Sequence, residues 1–283
     1  MDSKKKGYLF LILGLFLYAF TDAAIKYSMI TYSVPQVTFL RTVFRFIPFL
    51  VYVSIKQINP LKTEKISANI LRSLIATAGT YTFMYAFKYA PLVDVTVVGN
   101  ATAIFILPLS VLVLKEKFYI QNAIAVLLGF AGVVLAFRPG EGIFQIGIMY
   151  AIVAAVIMAL NSVIIKKLSF TENELTMIFY HHICMLLASV FIGFDSYIAL
   201  SLKDAALLFL AGTVSALGQY YLTHAYKFSA SSELASAAYV YLLPATLTDY
   251  YMYGKIPDAY IIGGLVLIAM GTCRAFTMQS KRR

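Results

Sequence analysis

The chain consists of apolar runs close to 20 residues long, following one another with almost no charge inside them. Reading between the charged residues places helices at about 7–27, 34–55, 70–88, 92–114, 119–137, 143–165, 175–194, 204–226, 232–253 and 258–277. A hydrocarbon core of about 30 Å takes roughly 20 apolar residues per helix, and a helix in lipid must satisfy its own backbone. Ten such runs in 283 residues predict an all-α polytopic membrane protein with little left for a soluble domain. Composition agrees, with 61% apolar and only 13% charged residues and a mean hydropathy of +0.81.

The net charge of +10 raises nucleic acid as a partner, and the placement of the cations argues against it. With the N-terminus inside, sixteen Lys and Arg fall in cytoplasmic segments, among them Lys4–Lys6, Lys56, Lys62, Lys65, Arg72, Lys115, Lys117, Lys166 and Lys167, against five outside. That asymmetry is the positive-inside pattern, so the charge reads as topology and the partner as lipid bilayer. Lys4-Lys5-Lys6 before an apolar run imitates a signal peptide, but the run continues to Lys26 without a cleavage site, so a retained first helix is expected. The chain has no Trp and 21 Tyr, which leaves Tyr to form the interfacial belt.

Sliding the chain against itself by 139 residues sets Tyr85-Ala86-Phe87-Lys88-Tyr89 against His224-Ala225-Tyr226-Lys227-Phe228, Gly79 against Gly218 and Gly132 against Gly271. At an offset of 140, Gly7 meets Gly147 and Ile25-Lys26 meets Ile165-Lys166. A near-constant offset of half the chain predicts two five-helix repeats, 1–140 and 141–283. Because five is odd, the second repeat enters from the opposite side, leaving both ends of the chain cytoplasmic. Inverted repeats of this kind are a common plan of secondary transporters, with the binding site near the midplane.

Landmarks along the chain are Ala90-Pro91, Leu107-Pro108, Leu114-Lys115-Glu116 and Gly129 with Gly132, answered by Leu243-Pro244, Gly254-Lys255-Ile256-Pro257-Asp258 and Gly263-Gly264 with Gly271. In these the chain resembles the EamA-type, ten-helix branch of the drug/metabolite transporter superfamily. It departs at Lys255, where the usual second-half pattern has an acidic residue. The run from Asn69-Ile70-Leu71-Arg72 to Ala90-Pro91 is most similar to bacterial S-adenosylmethionine uptake carriers. The resemblance implies a multi-pass protein of a bacterial inner membrane that moves an adenosyl-sulfonium metabolite inward, with exchange as one mode.

Ionisable groups inside the bilayer are functional candidates by default. Arg41 and Arg45 lie one turn apart on the second span; Arg41 either holds a substrate carboxylate through paired hydrogen bonds, serves a structural ion pair with Asp22 or snorkels, and Arg45 has a coupling or gating role open. Asp22 either contributes to coupling or pairs with Lys26 one turn on. Asp94 and Glu233, at the starts of the fourth and ninth spans, read as helix caps, and Asp249 as an outer-rim residue with a gating role open. His181 aligns with Arg41 in the repeat; it and His182 are either a proton relay or hydrogen-bonded core residues. Tyr81, Tyr85, Asn100, Gln219, Tyr220, Tyr239 and Tyr241 supply rings and amides that suit a cavity for a flat or cationic ligand, with plain packing as the alternative. Pro108 and Pro244 break matching helices and mark moving or lining elements. The glycines of the fifth and tenth spans suit close helix contact, within one chain or in a homodimer.

These features predict a secondary carrier for a small molecule, working by alternating access without cofactor or metal, as a monomer or homodimer. An exporter of amino acids or cationic drugs is the alternative on the same fold. A membrane enzyme is disfavoured, since HExxH, GxSxG and P-loop patterns are missing from the sequence.

Overall fold

The computed structural model describes residues 3–90, 95, 98–137, 146–193, 197–253 and 259–280. Among these residues there are helices and no strands. They are α1 (Ser3–Ser28), α2 (Val34–Ile55), α3 (Ile66–Tyr89), α4 (Thr102–Leu114), α5 (Ile120–Phe137), α6 (Ile146–Leu168), α7 (Glu174–Gly193), α8 (Leu202–Phe228), α9 (Ser231–Ala237), α10 (Leu242–Tyr253) and α11 (Ala259–Ser280), with a 3₁₀ turn at Ala238–Tyr241 between α9 and α10. The helices α2, α6, α7 and α8 are long and apolar enough to cross a membrane, and shorter apolar helical stretches cover 6–21, 98–114, 120–136 and 259–271. Large apolar side chains such as Leu112, Met149, Val153 and Phe191 stand on the outer surface, a perimeter suited to hydrocarbon rather than water.

Local chemistry sets where the helices begin and end. Ser33 caps α2 by accepting from the backbone N–H of Gln36, with Pro35 in the first turn, where a missing N–H costs nothing. Ser201 caps α8 by accepting from the N–H of Asp204. Lys115 ends α4 in the left-handed region, at φ 54°. That turn brings Glu116 to the start of α9, where it accepts from the N–H groups of Ser231 and Ser232 and from the Ser232 hydroxyl.

In lipid no hydrophobic force drives helices together, so close backbone approach and hydrogen bonds decide the packing. The extensive pairings are α1 with α8, α3 with α6, and α5 with α11. At the α5–α11 crossing a Cβ on Gly132 would lie 2.6 Å from the Gly264 carbonyl oxygen, so only glycine admits this approach. The glycine contact expected in these spans is thus made within one chain. The α1–α8 pair is tightest where Gly7 meets Ser229, and the α3–α6 pair where Gly147 meets Ala90.

The connections tie the ends across the bundle. Glu172, before α7, accepts from the N–H groups of Glu64 and Lys65, the Thr63 hydroxyl and the Asn69 amide, and so ties the segment leading into α3 to α7. At the opposite end the Tyr32 hydroxyl, after α1, donates to Asp204 at the start of α8 and accepts from the N–H of Ser201. Glu233 accepts from the N–H of Ala230, the capping role expected of it. Asp94 lies outside the described residues, as do the side chains of Asp22, Lys26 and Asp249.

One expectation is corrected here. Arg72 does not belong to a loop with the cytoplasmic cations: α3 starts at Ile66, a turn earlier than the apolar run suggests, and Arg72 is 1% exposed inside the bundle. Lys65, just before the helix, is exposed and takes the boundary position.

Candidate functional site

The polar centre of the bundle is built by α1, α2 and α8. Arg45 stands half-way along α2 and is buried. Its Nε donates to Oγ of Ser215 at 2.8 Å and its Nη1 to Oε1 of Gln219 at 3.4 Å. The same Oε1 accepts from the Tyr18 hydroxyl at 2.6 Å, while the Gln219 amide nitrogen donates to Thr223. Tyr18 is flanked by two guanidiniums, Arg41 at 5.8 Å and Arg45 at 5.6 Å from its ring centroid, both within cation–π range.

Helices α3 and α7 close the same region. Arg72 of α3 donates from Nη1 to the carbonyl of Met177 at 3.1 Å. His182 of α7 is buried, with Nδ1 2.7 Å from the Ile178 carbonyl and its ring stacked near those of Phe46 and Phe49. Both His181 and His182 lie in the electrostatic field of Arg41, Arg45 and Arg72. Among the described residues neither Arg41 nor Arg72 has a carboxylate partner; the ion pairs there join Glu174 to His224 and Lys227 at the basic end. The Nε atoms of Arg41 and Arg72 are buried without hydrogen-bond partners among the described residues. Arg72, 1% exposed, and the buried Nε of Arg41 therefore keep bonding capacity that suits an anionic group.

The remaining candidates separate into places. Tyr81 donates to Ser189 at 2.7 Å, where α3 meets α7, with Tyr85 one turn further along. Tyr197, between α7 and α8, donates to the carbonyls of Pro35 and Ser189, and burial pushes its phenol up. Tyr220 turns toward the basic end and stacks on His224 at 5.3 Å. Asn100, Tyr239 and Tyr241 fall at interruptions of the apolar runs 92–114 and 232–253. In the first of these runs, Ala101 is a turn between helical residues 98–100 and α4; in the second, the 3₁₀ turn separates α9 from α10. Pro244 stands in the first turn of α10 and is buried, whereas Pro108 lies inside α4 and is exposed. Tyr239 is buried against Gly129 in the apolar core of α4, α5, α6 and α11, and its hydroxyl has no partner among the described residues.

Sequence reasoning missed Tyr18, Ser215 and Arg72. For Arg72 a signal existed: it is followed by Leu74, Ile75 and Ala76 and preceded by Ile70 and Leu71, so apolar residues flank it on both sides. Tyr18 was hidden because an aromatic residue in an apolar run looks like packing until Gln219, 201 residues away, comes within 2.6 Å.

A bundle of apolar helices with buried cations at its centre and interrupted helices beside them is the build of a membrane transporter. Residues 5–138 and 145–277 each match the EamA-like transporter family, and the chain belongs to that family. It is similar to the S-adenosylmethionine uptake transporter of Rickettsia prowazekii, 29% identical over 94% of this chain and 90% of that protein. It also resembles the pseudopaline exporter CntI of Pseudomonas aeruginosa, 25% identical over 99% of both chains, and the riboflavin transporter of Vibrio cholerae, 22% identical over 98% of this chain and 95% of that one. A solved crystal structure shares the fold with a TM-score of 0.85 over 98% of each chain, at 15% identity. The family and these relatives are transporters, not enzymes, so the cargo is a small molecule and the setting a membrane.

Proposed function

We propose that the chain is a secondary carrier of ten spans, two inverted repeats covering 1–140 and 141–283, that moves a carboxylate-bearing metabolite by alternating access. The observation that carries this reading is the Arg45–Gln219–Tyr18 junction, half-way along its helices, with the guanidinium of Arg41 left to take the cargo's carboxylate. The relative from Rickettsia makes S-adenosylmethionine uptake the first substrate to test, in a bacterial inner membrane, as a monomer or homodimer.

The repeat reading is supported by contacts that recur when the halves are exchanged. Gly7 against Ser229 corresponds to Gly147 against Ala90, and Tyr32 at the start of α8 corresponds to Glu172 at the start of α3, at offsets of 139 or 140. The interruptions at Ala101 and at Ala238–Tyr241 also fall at matching positions. Such discontinuous helices are frequent binding and gating elements in carriers.

The test is uptake of labelled S-adenosylmethionine into proteoliposomes holding the full chain, with and without a proton gradient or internal substrate. Saturable uptake that falls at least about tenfold in Arg41→Ala supports the reading. Absence of transport for S-adenosylmethionine and for amino acids in every gradient overturns it. The match to CntI favours export as the second reading, and inside-out vesicles distinguish the two by direction. Cationic drugs fit a three-guanidinium centre poorly.

A further inference from the structure

Helices α3 and α7 face each other along stripes spaced four residues apart. On α3 the stripe is Asn69, Ser73, Thr77 and Tyr81; on α7 it is Met177, His181, Met185 and Ser189. Both ends of the seam are pinned, Asn69 donating to Glu172 at 2.9 Å and Tyr81 to Ser189 at 2.7 Å. Beside the Asn69 pin, Arg72 donates to the Met177 carbonyl.

Between the pins several polar atoms have no hydrogen-bond partner among the described residues. Arg72 is 1% exposed, Ser73 0%, Thr77 6% and His181 8%. Nε of Arg72, Oγ of Ser73, Oγ1 of Thr77 and Nδ1 of His181 are buried without hydrogen-bond partners among the described residues. Helical hydroxyls ordinarily return to the carbonyl four residues back, as Thr42, Thr80 and Thr82 do. Ser73 and Thr77 do not. Leaving such groups unmet inside a protein is costly, and this set, lying between the two pins of one helix seam, has one chemistry in common: a guanidinium, two hydroxyl donors and, in the Nδ1–H tautomer, an imidazole donor are all groups that bond an oxyanion.

We propose that the α3–α7 seam is a second oxyanion site, built by Arg72, Ser73, Thr77 and His181, that takes a carboxylate or phosphate group in addition to the one at Arg41. It rests on the carrier reading above. The oxyanion is either a second acidic group of the cargo or a free inorganic anion bound beside it.

Cys184, one turn from His181 and in the field of Arg72, reports on occupancy. In the full chain with Cys273→Ser, inorganic phosphate is titrated in chloride buffer while the rate of Cys184 alkylation is followed. Saturable protection is expected. In Arg72→Gln the half-protecting concentration rises about tenfold or more, as loss of a charge-assisted hydrogen bond requires. The milder Ser73→Ala/Thr77→Val pair, which keeps the charge, raises it about threefold or more. Lys167→Gln, which removes an exposed cation, leaves it unchanged within about twofold. No protection in the parent, or equal protection in both seam variants, overturns the site.

In proteoliposomes, competition by phosphate against labelled cargo assigns the seam to the cargo's own acidic group. Stimulation by phosphate assigns it to a separately bound anion. Phosphate without effect on uptake overturns the placing of the seam in the transport cavity. If no solute moves at all, the carrier reading fails while the alkylation result still decides the site.

Discussion

The Arg45 guanidinium lies over the ring of Tyr18, 5.6 Å from its centroid, and both side chains donate to the same oxygen, Oε1 of Gln219. One acceptor thereby holds a cation of α2 and a phenol of α1 against α8. Replacing Gln219 with Leu removes that acceptor at nearly constant volume. We expect uptake to fall about tenfold or more, because an orphaned donor near a buried charge costs about 1–3 kcal/mol. Parallel uptake and thermal-stability measurements check it: a stability loss with unchanged uptake per folded molecule would sink the binding role.

Gly132 and Gly264 place the backbones of α5 and α11 in contact. Gly132→Val forces them apart. The expected destabilisation is about 1–3 kcal/mol, typical of overpacking, read as a lower melting temperature in detergent with substrate affinity little changed.

Glu172 accepts four hydrogen bonds, three from residues 63–65 just before α3 and one from the Asn69 amide in its first turn, and is buried. Glu172→Ala leaves the N–H groups of Glu64 and Lys65 and the Asn69 amide without this acceptor. A loss of about 1.5–3 kcal/mol is expected from bonds to a charged group. Hydrogen exchange at residues 64–70 is the direct measurement, and unchanged protection there contradicts the role of Glu172 in holding this segment.

The Tyr239 hydroxyl is buried without a partner among the described residues, while its ring fills the space left by Gly129. Tyr239→Phe therefore keeps or raises stability, by up to about 1 kcal/mol, whereas Gly129→Val lowers it. If Tyr239→Phe abolishes uptake at full stability, the hydroxyl serves the cargo rather than the core.

Orientation has its own test. In a chain lacking Cys184 and Cys273, Leu61→Cys and Leu202→Cys place exposed thiols at opposite ends of the bundle. An impermeant maleimide applied to intact cells should label the second and spare the first; the reverse pattern inverts the topology.

The helices were legible because a span in lipid is written locally. Each apolar run must be about as long as the hydrocarbon is thick, and the caps at Ser33 and Ser201 mark where α2 and α8 begin. The run at 232–253 was less legible: its 3₁₀ turn at Ala238–Tyr241 comes with no glycine at the break, so Pro244 was its nearest written sign. Arg72 was misplaced for a related reason. Hydropathy counts a guanidinium as a boundary, and it takes the Met177 carbonyl from another helix to reveal that the charge is inside.

By itself the sequence determined that this chain lives in a membrane as helices, since apolar length is a property of the chain alone, and its near-constant offset is what motivates the repeat proposal. Only the tertiary structure decided which polar residues share a centre. Tyr18, Arg45 and Gln219 are spread over 201 residues, and Arg72 and Met177 stand on separate helices; their meeting depends on how the helices cross, as α1 and α8 do where Gly7 meets Ser229. A glycine in an apolar run reads the same whether it faces lipid or another backbone, so the partner it admits becomes visible only when the helices are packed.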